Sequence, residues 1–182
     1  MSEQNKKQNK WVCPGAERGA ALFHQGCNCA QSVFCAFSDQ LGMDRNLAMR
    51  MSASFGGGIG RMREVCGAVS GMALIAGFFT GSTVPEDQEA KGANYQLVQD
   101  LAQELRAEHG TILCRELLGL TEVDGVAMPE ARTEQYYASR PCETLIRHAC
   151  AIIEEHFPQL RTETEESVQR KVEDRHGTLG CL

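Results

Sequence analysis

The chain has 182 residues, of which 42% are hydrophobic and 6% aromatic, and its formal net charge is −6. That length supports one domain with tails. So few aromatic residues argue against a β-sandwich, and an acidic balance with no basic stripe argues against nucleic acid or an anionic membrane as partner.

Residues 1–13 read as a disordered polar leader, and Met1 to Lys10 carries no secretory pattern. Pro14 then opens a helix that runs to about Gln25, since proline is tolerated in a first helical turn. Gly26 ends it, and Asn28 caps the next helix, to about Leu41. There Cys29, Val33, Phe37 and Leu41 recur every four residues and share a face. Asp44 caps a third helix, to about Ser54. Four glycines crowd the stretch from Gly56 to Gly60, which breaks any helix or strand.

A central helix is expected from about Met62 to Phe79. The uncharged stretch Val65 to Val84 has the length of a membrane span. Its glycines and hydroxyl residues, and an apolar centre limited to Met72–Phe79, favour a helix buried in the core instead. A long amphipathic helix follows, about Glu86 to Glu108, with Tyr95, Val98, Leu101, Ala102 and Leu105 as its apolar positions. A short helix spans Thr111 to Leu118, residues 119–140 read as irregular and polar, and Pro141 opens a last core helix, about 142–157. A charged tail, 159–182, completes the chain. No strand pattern and no internal repeat is evident. The expected fold is all-α: a single bundle of about six helices around a central Gly/Ala-rich helix, spanning 14–158.

Nine cysteines stand out: Cys13, Cys27, Cys29, Cys35, Cys66, Cys114, Cys142, Cys150 and Cys181. With no export signal, the expected compartment is the reducing cytoplasm, where dense cysteines are more often metal ligands or redox thiols than disulfides. Cys29, Cys66, Cys114 and Cys142 each fall at the start of, or within, a separate predicted helix, and none belongs to a thioredoxin-type CxxC pair. The fold must therefore gather them. Gly67 and Gly71, at small-x-x-x-small spacing around Cys66, permit close helix approach. Four gathered thiolates suit zinc or an iron–sulfur cluster. The glycine loop, with Gly58, Gly60, Arg61 and Arg63, would supply amides and positive charge beside an anionic centre.

Other motifs are weaker. The glycine loop has Arg63 where a dinucleotide fingerprint needs a third glycine, and it follows no strand. His24-x-x-Cys27-x-Cys29 is not a c-type haem site, and Cys27 reads as an ordinary or auxiliary thiol. Cys–His catalysis through His109 or His148 lacks an orienting carboxylate in any recognisable pattern. Cys181, penultimate in the chain, reads as an incidental thiol on a frayed tail before a mobile exchanging one.

Taken in order, Asn28-Cys29-Ala-Gln-Ser-Val33, Phe55-Gly-Gly-Gly-Ile-Gly-Arg61, Val65-Cys66-Gly-Ala-Val-Ser-Gly71, Cys114-Arg-Glu-Leu-Leu118 and Pro141-Cys142 resemble the C_GCAxxG_C_C family of redox-active proteins. The resemblance covers about residues 14–157 and places the family's four cysteines on Cys29, Cys66, Cys114 and Cys142. It implies a redox role, alone or as a module of electron-transfer proteins, and an iron–sulfur site. The added cysteines and the charged tail lie outside the pattern. Three functions follow: electron transfer to a redox partner protein through an iron–sulfur cluster; a metal-free thiol–disulfide oxidoreductase, with Cys27 or Cys181 as the exchanging thiol; and a structural zinc protein or interaction module. A homodimer through the amphipathic helices is plausible.

Overall fold

Eight helices and a closing 3-10 turn make up residues 10–161, which this computed structural model describes. The helices are α1 (Pro14–His24), α2 (Cys29–Cys35), α3 (Arg45–Ala53), α4 (Gly67–Thr80), α5 (Gln88–His109), α6 (Cys114–Leu117), α7 (Glu134–Ser139) and α8 (Cys142–His156), and the turn is Pro158–Leu160. Among the described residues the only β-type pairing is an isolated bridge between Val65 and Leu113, so the fold is all-α. All helices but the short α6 and α7 run seven residues or more. Cys181 and most of the charged tail lie outside the described residues.

Local chemistry sets the helix starts. Pro14 occupies the first turn of α1, where Cys13 Sγ accepts from the Ala16 amide at 3.4 Å. Asn28 and Gln31 form a reciprocal capping box at α2, each bond 3.0 Å. Asp44 accepts from Leu47 N at 2.9 Å and Asp87 from Ala90 N at 2.9 Å, capping α3 and α5.

α4 packs between α2 and α5, and α1 lies along α8 and α2. The core is filled by Met72 and Ile75 of α4, Leu101 and Leu105 of α5, Leu145, Ile146, Ile152 and Ile153 of α8, and Phe23, Phe34 and Phe37. The small residues of α4 act as expected. A Cβ on Gly67 would lie 3.0 Å from Ala30 N, and one on Gly71 would lie 2.7 Å from Val33 Cβ, so α2 sits against bare backbone. No described helix is long and apolar enough to cross a membrane.

Four details differ from expectation. α2 ends at Cys35 rather than at about Leu41, because the Phe37 and Ser38 amides turn to carbonyls three residues back, Phe34 O and Cys35 O. α4 begins at Gly67, not Met62. Arg61 and Arg63 hold left-handed φ values of +67° and +63°, and Cys66 N is spent on Ile112 O at 2.8 Å, so the helix cannot start earlier. Tyr95 points outward at 63% exposure, because the buried stripe of α5 runs through Leu101 and Leu105. Residues 119–140 contain α7, capped by Thr133, whose hydroxyl accepts from Tyr136 N at 3.2 Å. At the other end of the chain, Lys10 pairs with Glu108 at 2.7 Å and Trp11 stacks on His148 with centroids 4.2 Å apart.

Candidate redox centre

Five of the cysteines mark helix starts: Cys13 caps α1, and the other four share a cavity. Cys29, Cys114 and Cys142 are the first residues of α2, α6 and α8, and Cys66 is the N-cap of α4. All four line one cavity with about 50 Å³ of internal free space, room for more than one water molecule. A helix start presents unpaired amides and a partial positive charge, which favours a thiolate over a thiol. Leu117, Leu118 and Leu145 supply the apolar part of the wall.

Three guanidiniums complete the lining: Arg63, Arg132 and Arg140. Arg63 is buried and shares this wall with Cys114, whose thiolate its positive charge favours. Interaction with Cys29, reinforced by Arg140, Arg132 and Arg63, holds the Cys142 thiol below its ordinary range. The same interaction, together with burial, pushes the Cys29 thiol well up. Burial raises Cys66 to about 12, against the pull of the Ala68 and Val69 amides at the start of α4. Burial raises Cys114 as well, and Arg63 opposes it.

The loop before α4 is wound left-handed. Gly57, Gly58, Ile59, Gly60, Arg61 and Arg63 all have positive φ, although Ile59 is β-branched. Gly58 is crowded: a Cβ there would stand 2.7 Å from Cys114 Cβ and 2.7 Å from Glu64 N. Long-range bonds hold the turn, from Glu64 N to Gly58 O at 3.1 Å and from Cys114 N to Glu64 O at 2.7 Å. Loop and α6 are thereby tied together, which sets Cys114 beside Arg63.

Residues 27–156 match the profile of the family described as "Putative redox-active protein (C_GCAxxG_C_C)". The chain belongs to the C_GCAxxG_C_C family. No curated protein and no solved structure gives a significant match. The four cysteines that share the cavity are those the family resemblance pointed to.

Other expected site residues are placed differently. Gly58 and Gly67 line the cysteine cavity, whereas Gly60 and Arg61 line a larger neighbouring one. Cys27 is buried away from the centre, with its sulfur 3.9 Å from Met49 Sδ. Cys13, Cys35 and Cys150 are also outside the cavity, and Cys181 is not among the described residues. Among those residues, no three His, Cys, Asp or Glu side chains are gathered as a single-ion site. Sequence reasoning missed Arg132, Tyr136 and Arg140. No periodic signal marked them, since Arg132 and Arg140 flank α7 and only Tyr136 lies on it.

Proposed function

We propose that the four-cysteine cavity is a redox centre holding an iron–sulfur cluster, through which the protein exchanges electrons with a partner protein. The observation that carries this reading is the convergence of four helix starts, each bearing a cysteine, on one small cavity. The donor set fits the group. Cys29, Cys66, Cys114 and Cys142 would ligate it, and four thiolates suit iron–sulfur chemistry. When bound, such a cluster stores electrons at a potential tuned by nearby charge and by hydrogen bonds to sulfur. Arg63, Arg132 and Arg140 offset the negative charge of the thiolates, and the three leucines limit water.

A second reading rests on the shared position of Cys29 and Cys142 in the cavity wall. Two thiols that face one small cavity, one of them held towards the thiolate, suit reversible disulfide formation. Oxidation would release two protons and pass two electrons to a partner disulfide, leaving Cys66 and Cys114 reduced.

The test is a UV–visible spectrum of protein purified without oxygen, with iron and acid-labile sulfide assayed on the same sample. Broad visible absorbance with iron and sulfide, lost in Cys66→Ser, supports the cluster. A colourless, iron-free protein whose Cys29 and Cys142 peptides cross-link reversibly supports the disulfide. Colourless protein without that cross-link overturns both.

A further inference from the structure

A second cavity of about 230 Å³ adjoins the cysteine cavity and shares with it Asn28, Gly57, Arg63, Arg132, Tyr136 and Arg140. Four of its lining side chains are guanidiniums, since Arg61 joins the three named above, and Glu130 is its only acid. Glu130 accepts both oxygens' worth of contact from Arg140 at 2.6 Å, and it also pairs with Arg61 at 3.2 Å and Arg63 at 3.4 Å. Arg132 is left out of this arrangement. Its Nη2 donates to Cys27 O at 3.2 Å, but its Nη1 is buried and has no hydrogen-bond partner among the described residues.

An unsatisfied, buried guanidinium nitrogen is costly, and Arg132 lines the cavity, so an anion that reached this guanidinium would relieve the cost. The cations are also fixed in place. The Tyr136 ring lies 4.6 Å from the Arg132 guanidinium and 4.4 Å from that of Arg140, and Phe23 lies 5.0 Å from Arg132. Preorganised, paired N–H donors suit an anion with several oxygens.

We infer that the outer cavity binds a small dianionic oxyanion, of the charge and size of sulfate, which takes the place of the Glu130 carboxylate among the guanidiniums and fills the open valence of Arg132. Glu130 then acts as an internal substitute anion that swings aside on binding. The cavity leaves room for the anion with some of its water. This deepens the redox reading by naming the ligand class that meets the cysteine centre. Its binding part is measured whether or not metal is loaded, so each idea can fail alone.

The experiment is calorimetric titration of inorganic sulfate into the full chain, in chloride buffer of matched ionic strength, with acetate as a monoanionic control. The expected result is saturable one-site binding of sulfate over acetate, at least about tenfold weaker in Arg132→Met and tighter in Glu130→Gln. Absence of saturable sulfate binding in both the native chain and Glu130→Gln overturns the inference, as does unchanged affinity in Arg132→Met. Acetate binding as well as sulfate would also overturn it. If Arg132→Met fails to fold by circular dichroism, Glu130→Gln decides: tighter binding supports the site, and unchanged affinity overturns it.

Discussion

Cys29, first residue of α2, and Cys142, first residue of α8, line the same cavity and shift one another's thiols in opposite directions. Two thiols that are 113 positions apart in the chain, from 29 to 142, thus become unequal partners. One keeps its proton and the other is held towards the thiolate.

Metal-free protein should therefore alkylate first at Cys142. The lowered Cys142 pKa means that its thiolate persists below the ordinary thiol value of 9.0, so labelling with iodoacetamide near neutral pH should be faster there than at Cys29, Cys66 or Cys114. Arg140→Gln should move the midpoint of the Cys142 labelling rate to higher pH. Peptide mass spectrometry across a pH series checks this, and Cys29 labelling ahead of Cys142 would contradict it.

Helix starts were largely legible in the sequence, because caps are local. Pro14, Asn28 and Asp44 each stand within a residue of the observed helix. The four cysteines that line one cavity could also be picked out, because each marks a helix start and matches the family pattern. The left-handed loop was legible only as a break. Its non-glycine members Ile59, Arg61 and Arg63 hold positive φ through bonds to remote backbone, such as Arg115 N to Arg63 O at 3.1 Å. Nor could Arg132, Tyr136 and Arg140 be assigned, since a six-residue helix in a polar stretch carries no stripe of its own. Their role comes from docking onto Phe23 and Cys27 O.

The loop yields a paired substitution test. Gly58→Ala places a Cβ 2.7 Å from Cys114 Cβ, at φ +72°, and should cost more than about 2 kcal/mol and lower the metal or reactive-thiol content. Gly60→Ala has φ +56° and no neighbour within 4 Å, so only backbone strain of about 1 kcal/mol applies, with the centre intact. Chemical denaturation with metal and thiol assays on both variants measures the difference.

Trp11 offers an optical probe of a buried base. His148 stacks on it at an interplanar angle of 17° and contacts His109 across 3.0 Å, from Nδ1 to Nε2. Burial, with His109 nearby, lowers His148 from 6.5 to about 4. The unfolded chain binds the proton first, so His148 supports the fold fully above pH 6.5, and that support is lost as pH falls towards 4. The fluorescence of Trp11, the chain's one tryptophan, should change with a midpoint near pH 4 and lose that transition in His148→Phe.

Cys150 separates packing thiols from working ones. It is fully buried, and the bare backbone of Gly19 faces its sulfur, with a Cβ position 2.9 Å away. Cys150→Ala should lower stability by about 1–2 kcal/mol through the void it leaves, yet leave the spectrum or disulfide of the centre unchanged. Cys66→Ser should do the reverse, with a modest stability change and loss of the centre.

Because each of the four cysteines waits at the head of a different helix, the centre has an order of assembly. Cys142 is the last to leave the ribosome, and it arrives with α8, which also closes the hydrophobic core. A nascent chain that ends before α8 holds three of the four thiols and lacks the fourth wall of the cavity. Any chemistry that needs all four thiols therefore follows completion of the core, and the finished fold decides when these cysteines first meet.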